Sequence, residues 1–433
     1  MCRKATRALS EEHVRGVKTN IPFVTNILNH PTFIAGKCHT KFIDETPELF
    51  EFTESRDRAT RVLKYIANIQ VNNPDIDRHQ YDTPRFPQPQ REIRKKDGLK
   101  FLLDTDGPEA VKDWVLNQKK LLITDTTMRD AHQSLLSTRL RTRDMVKGAD
   151  GTADILADCF SLEMWGGATF DTAYRFLHES PWERLEMLRE KIPNIPFQML
   201  LRGSNLVGYA SYPDNLVRAF VAEAAREGID VFRVFDSLNW LPNMEVAMDE
   251  VLKQNKFLEA TMCYTGDILD PTRDRYTLEY YVNLAKELER RGAHSLCIKD
   301  MSGLLKPYAA KKLISTLKQE IGIPIHLHTH NTTGNQLATY LMAAEAGCDI
   351  VDTAMGPMAN LTSQPSMNAL VEALRGQGIG GWLTGLLAAD LAARGRRVAL
   401  SCKKERLNFY HRLGFAAEDT VQRYALDGLP EEK

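Results

Sequence analysis

A chain of 433 residues is long for one domain and implies two or three. Its 56 Lys and Arg balance 57 Asp and Glu, which removes the electrostatic basis for general nucleic-acid or acidic-membrane binding. No apolar run approaches the ~20 residues that span a bilayer, and the seven cysteines are scattered without Cys-x-x-Cys spacing, as expected of reduced thiols in a cytoplasmic protein.

The start, MCRKATRALSEEH, is basic but lacks the apolar middle of a secretory signal, and Glu11 argues against an organelle presequence. The following VRGVKTNIPFVTNILNHPTFIAGKCHTKFI reads as a strand, a helix and another strand, a partial α+β segment too short for a core of its own. VNNPDIDRHQYDTPRFPQPQREIRKK carries prolines and charges without apolar periodicity and opens a linker expected over residues 71–116.

From there to Leu374 short apolar strands alternate with amphipathic helices. The strands are LLITDTT, SLEMW, PFQMLLRG, VFRVFDS, EATMCYTG, HSLCIKDM, PIHLHTH and DIVDTAMG. Eight β/α units in about 250 residues predict an α/β protein built on a (β/α)8 barrel over residues 117–374. A doubly wound open sheet is the alternative, but it would not bring strands one, six and seven to a common centre. After Leu374 the composition shifts to Gly, Ala and Arg.

The chemistry gathers at the carboxyl ends of the strands, with Arg129, Asp130, Arg202, Asp236, Lys299, His328 and His330. In LLITDTTMRDAHQS an apolar strand runs into a charged cluster, costly to bury unless it serves a ligand. A polar loop capping the next helix is the plainer reading of that segment alone. In IPIHLHTHN alternate residues share a side, so His328 and His330 project together. With a carboxylate from another strand, such a pair suits a divalent ion. His326 has the same parity but sits two residues deeper and reads as a core histidine with satisfied hydrogen bonds. Lys299 is the odd member: an ammonium cannot ligate a cation, so the group would be neutral or converted by CO2 to a carbamate.

RDAHQSLL, SLEMWGGATFDTAYRFL, FQMLLRGSNLVGY, VFRVFDSLNW, IKDMSGLLKP and HLHTHNTTGN closely resemble the carboxyltransferase domain of the pyruvate carboxylases. RGVKTNIPF and FIDETPELF resemble the end of that family's biotin carboxylase domain, giving a remnant over residues 1–70. The resemblance implies that Asp130, Lys299 as its carbamate, His328 and His330 ligate zinc or manganese. It implies that Arg129, Gln133 and Arg202 hold pyruvate and its enolate, with Arg129, Gln133 and Lys299 catalytic, and that Asp171 and Tyr209 line the carboxybiotin pocket. Asn331 stands where the family commonly has Asp, which implies a loss of charge support behind the metal ligands. The ATP-binding body of the biotin carboxylase, the helical extension with its proton-shuttling threonine and the biotin-carrying domain are not in this sequence, so the reading is of a truncated enzyme that needs biotin from elsewhere.

The tail, residues 375–433, resembles half of a GCN5-related N-acetyltransferase. Arg375, Gly378 and Gly380 match its pyrophosphate loop, and Tyr410 stands where that family often has a general acid. The loop follows a barrel helix rather than a strand, so acetyl-CoA is not expected as a ligand. The leading expectation is thus carboxyl transfer from carboxybiotin to pyruvate, giving oxaloacetate, a ligase reaction of gluconeogenesis, without turnover by this chain alone. Alternatives are an acyltransferase in the tail and a non-catalytic protein that binds pyruvate or oxaloacetate. The expected partners are these small molecules, intact carboxylase subunits or further copies of the chain, with no nucleic acid and no membrane.

Overall fold

A computed structural model describes residues 2–12, 14, 17–52, 58–72, 93–374, 400–401, 415–418 and 423–426. The chain divides into two compact units, Met1–Thr83 and Pro84–Lys433.

Among the described residues of the first unit the regular elements are all helical: α1 (Cys2–Glu11), α2 (Ile21–Asn29), α3 (Pro31–Ile34), a 3-10 turn over Pro47–Phe50, and α4 (Arg58–Asn72). This corrects the expected strand–helix–strand order. Pro22 occupies the first turn of α2, where its missing N–H costs nothing, and Pro31 does the same for α3. Both prolines suit helix starts, and a helix satisfies its backbone groups without a neighbouring strand.

The second unit holds the barrel. Its strands are β1 (Leu122–Asp125), β2 (Ser161–Trp165), β3 (Phe197–Leu201), β4 (Val231–Val234), β5 (Phe257–Cys263), β6 (Ser295–Asp300), β7 (Ile325–Thr329) and β8 (Ile350–Thr353). They pair in chain order, all parallel, and β1 closes on β8 through Leu122↔Ile350 to Asp125↔Thr353. All eight coincide with the apolar segments read from the sequence. Every residue of these strands is buried, which is why they read as near-continuous apolar runs.

A first helix, α5 (Leu99–Leu116), precedes the barrel. Residues 99–116, expected to belong to the linker, form this helix instead. Asp-Gly-Pro reads as a break, and the chain does kink there, with Gly107 at φ 83°, a conformation that favours glycine. On either side of the kink Leu99, Leu103, Val111 and Val115 pack on Leu122, Phe160, Val231, Phe257 and Ile350 at the amino-terminal ends of the strands. Each buried leucine or valine contributes about 1.5–3 kcal/mol, so α5 stoppers the bottom of the barrel.

The connections between strands carry α6 (His132–Leu136), α7 (Thr142–Ile155), α8 (Gly167–Thr172), α9 (Pro181–Lys191), α10 (Asp214–Glu227), α11 (Pro242–Lys253), α12 (Leu278–Arg290), α13 (Pro307–Glu320) and α14 (Gln336–Glu345), with α15 (Met367–Ala373) after β8. α12 shows the rule they follow: Tyr281, Leu284, Ala285 and Leu288 recur at helical spacing and are the buried face. In the tail, β9 (Leu400–Ser401), β10 (Phe415–Glu418) and β11 (Arg423–Leu426) form an antiparallel sheet in the order β10-β11-β9.

The interior of the barrel is polar. Thr124, Ser161 and Gln198 form one hydrogen-bonded run at 2.8 and 3.0 Å. Beside it Arg233 from β4, Glu259 from β5, His326 from β7 and Asp352 from β8 form a fully buried ionic quartet. Arg233 donates to both Glu259 and Asp352. His326 sits 2.7 Å from Glu259 through Nδ1 and 2.7 Å from Asp352 through Nε2. Two carboxylate acceptors require two N–H donors, so His326 is an imidazolium and the quartet is neutral. Burial opposes that charge, but Glu259 and Asp352 raise the His326 pKa despite it. Arg233 Nη2 lies 3.1 Å from both ring nitrogens, an equidistance that places it over the ring face.

Candidate active site

The site starts where β1 ends. Residues Thr127–Ala131 make a single wide π-turn, with Ala131 N–H reaching the Thr126 carbonyl. Such turns recur at functional sites because they re-aim consecutive side chains. Here Arg129 and Asp130 are both brought into the barrel's network and both buried. Asp130 Oδ2 lies 3.3 Å from His330 Nε2 and 3.5 Å from His328 Nε2. Lys299 and His328 are register partners on β6 and β7, and Lys299 Nζ lies 3.1 Å from His328 Nε2. One ligand atom from each of Asp130, His328 and His330 falls within 4.8 Å of the others.

These donors suit a divalent cation. His328 Nδ1 faces Asp352 Oδ2 at 2.5 Å, so it carries the proton and Nε2 keeps a lone pair. His330 Nδ1 donates to the Thr362 carbonyl at 2.7 Å and its Nε2 faces Asp130 Oδ2 at 3.3 Å. Burial opposes a charge on His330 but Asp130 raises its pKa, so Nε2 holds a proton that a bound cation would displace. Burial would raise the Asp130 carboxyl, but Arg129, His330 and His328 hold it well below the usual carboxylate range. Burial and the Lys299 charge push His328 well below the usual histidine range, against the pull of Asp352. An ionised carboxylate and a neutral imidazole are the forms that bind metal. Asn331, where the resemblance implied a loss of charge support, builds the following loop: its N–H donates to the Ser363 carbonyl and its side chain bonds Asn360. Asp352 supplies the charge support.

Arg129 spans the mouth, with Nη2 on Glu163 at 2.6 Å, Nη1 on Asp130 at 3.0 Å and Nη1 on Gln133 at 3.3 Å. Its Nε has no partner among the described residues. Arg202, just past β3, donates to the Gly208 carbonyl at 3.1 Å and lies 5.3 Å from the Tyr209 ring centre. The Tyr209 hydroxyl is 3.5 Å from Asp171, which also binds Arg175 at 3.0 Å. Gly166 and Gly167 link these two groups. A Cβ on Gly166 would lie 3.1 Å from Arg129 Cδ, and one on Gly167 would lie 2.4 Å from Arg202 Nη1. The glycine pair after β2 is therefore the shelf on which both guanidinium groups rest.

Thus the structure brings together Asp130, Lys299, His328 and His330, sets Arg129 and Gln133 beside them, and joins Arg202, Tyr209 and Asp171 in a neighbouring group. Asp236 serves its own loop, accepting from the N–H groups of Leu238 and Trp240. Sequence reading missed Glu163, Asp352 and Gln364. The last donates to Asp130 Oδ2 at 2.8 Å and accepts from Thr126 at 2.8 Å. The tail residues Arg375, Gly378, Gly380 and Tyr410 lie outside the described residues.

Comparison with known proteins fits this geometry. The HMGL-like family matches residues 217–397, and the biotin carboxylase C-terminal domain matches residues 1–45. Pyruvate carboxylase of Staphylococcus aureus is 56% identical over 379 residues, covering 86% of this chain and 33% of that protein. The barrel is homologous to the carboxyltransferase region of the pyruvate carboxylases. The mitochondrial pyruvate carboxylase of Rattus norvegicus is 50% identical over 385 residues, covering 86% of this chain and 32% of the relative. The carboxyl transferase domain of the Rhizobium etli enzyme, solved with pyruvate, aligns with a TM-score of 0.69 at 50% identity, over 78% of this chain and 59% of that one. The chain spans about a third of the length of the curated pyruvate carboxylases it matches. The HMGL-like match runs past Arg375 to residue 397, so it lends no support to the acetyltransferase kinship expected for the tail. Among the described residues no helix is long and apolar enough to cross a membrane.

Proposed function

We propose that the barrel transfers a carboxyl group between carboxybiotin and pyruvate, giving oxaloacetate. One observation carries the reading: Asp130, His328 and His330 present converging ligand atoms at the barrel mouth with Lys299 3.1 Å from His328. Asp130, His328, His330 and Lys299 as its carbamate would hold zinc or manganese, which supplies Lewis-acid polarisation of the pyruvate carbonyl oxygen. Arg202 and Gln133 bind pyruvate, the guanidinium pairing with its carboxylate. Arg129 sits beside Asp130 and places positive charge where the enolate oxygen develops, which lowers the barrier to losing a methyl proton; that proton ends on the biotin nitrogen that the departing carboxyl group frees. Glu163 and Gln133 fix that guanidinium in place. Asp171 and Tyr209 face the biotin ring from the adjoining group.

Residues 1–70 are assigned to the end of a biotin carboxylase domain, supported by the family match over residues 1–45. Biotin would reach the barrel mouth on a biotin-carrying domain, with intact carboxylase subunits or further copies of the chain as the proposed partners. The free thiols Cys2, Cys38, Cys159, Cys263, Cys297 and Cys348 suit a cytoplasmic setting. Elemental analysis tests the central claim: purified protein should hold near-stoichiometric zinc or manganese, and His328→Ala should lose most of it while the fold remains. Folded wild-type protein without metal would refute it.

A further inference from the structure

We propose that Asp352, clamped by Arg233, is the positioning residue of the metal centre, setting the ring orientation and tautomer of His328. The inference rests on the metal reading above and adds to it a residue that touches the ligand His328 rather than the metal position itself. Asp352 is fully buried and accepts four hydrogen bonds. Oδ2 takes those of His328 Nδ1, at 2.5 Å, and Arg233 Nη1. Oδ1 takes those of His326 Nε2, at 2.7 Å, and Arg233 Nη2, at 3.1 Å. With every lone pair engaged, the carboxylate has one orientation, and so has the imidazole bonded to it. Arg233 is itself fixed on the other side by Glu259.

The two metal histidines are held differently. His330 leans on a backbone carbonyl, Thr362, in the loop after β8, and keeps 12% side-chain exposure. His328 leans on a carboxylate inside the barrel and has none. A neutral acceptor in a loop tolerates ring rotation, whereas a buried carboxylate with four donors does not. The rigid side of the centre is therefore His328, and its rigidity comes from β8 and β4.

The test uses the full chain and zinc affinity measured by competition with a chromophoric chelator. Asp352→Asn should weaken zinc about 10–100-fold, the usual effect of removing a group that orients a ligand. That variant also unbalances the quartet, so the charge-balanced double variant Asp352→Asn with His326→Gln is measured beside it and should show the same loss. His326→Gln alone keeps the carboxylate on His328 and should stay within about threefold of wild type. Cobalt(II) loaded into each protein gives a second readout, since altered ligation by His328 shifts its visible absorption and a general loss of stability does not. Unchanged zinc affinity and cobalt spectrum in the folded double variant would overturn the role of Asp352 and leave the metal reading standing. Failure of the wild type to bind zinc at all would overturn both.

Discussion

Asp230 lies just before β4 and ties three elements to the base of the barrel. Lys100 of α5 approaches it at 2.9 Å, Arg189 of α9 at 2.6 Å and Lys256, before β5, at 3.1 Å, and the Phe197 N–H donates to it at 3.0 Å. The carboxylate is fully buried and its three cationic partners are 11%, 16% and 18% exposed, so solvent screens the cluster little. Asp230→Asn leaves three cations around a neutral amide. Removing one partner from such a buried network costs about 3–5 kcal/mol, which lowers the thermal midpoint by about 6–20 °C for a domain of this size. Burial alone would raise the Asp230 pKa, but Arg189, Lys256 and Lys100 hold it well below the usual carboxylate range. Its contribution is complete above the unfolded-state pKa of about 3.9 and is lost as pH falls through the folded-state value. The wild type should therefore lose its advantage over the variant by about 1.4 kcal/mol per pH unit below about 3.9. Urea unfolding followed by tryptophan fluorescence across pH 3–7 measures both quantities, with Trp114 of α5 reporting on the stopper and Trp165 on the barrel. A neutral-pH difference below about 1 kcal/mol, or one that stays constant into acid, would refute the argument.

Gly167→Ala should preserve the fold but displace the Arg202 guanidinium, whose Nη1 would stand 2.4 Å from the new Cβ. Calorimetry should then show pyruvate or oxaloacetate binding weakened by about 1.5–3 kcal/mol, matching Arg202→Ala, through loss of a charge-assisted contact; wild-type affinity would disprove the shelf. Lys299→Ala and Lys299→Arg should both weaken metal retention, Arg more because it sets a fixed positive charge beside the cation. Equal metal content in all three proteins would remove Lys299 from the ligand set.

The barrel was legible because its strands are buried on both faces and its helices on one, so hydrophobic period alone separates them. The centre was legible where parity applied: His328 on β7 and His330 just past its end project together, and His326, read as a core histidine, is held by Glu259 and Asp352. Glu163, Arg233, Glu259 and Asp352 escaped notice although a signal existed, since each is a charge inside an otherwise apolar strand and must find a partner across the barrel. Gln364 gave no signal, for its role depends on how the loop after β8 folds back. α5 was hidden by Gly107 and Pro108, which break helical periodicity in sequence and also divide α5 in space, where Gly107 is non-helical, into two short segments that pack on the same strand ends. The N-terminal strands were misread because short apolar runs carry no record of whether a pairing edge is available.

The ionic quartet also constrains how this chain reaches its native state. Its four members come from four strands, and no two neighbours in sequence can assemble it. A slip of one residue in any of these strands turns its charged side chain outward into the apolar layer beneath the helices, where nothing neutralises it. Misregistered closures thus bury an unmatched ion, while the correct one buries none. The same atoms that orient His328 act as a proofreading lock on the assembly of the sheet, complete only when the last strand has docked.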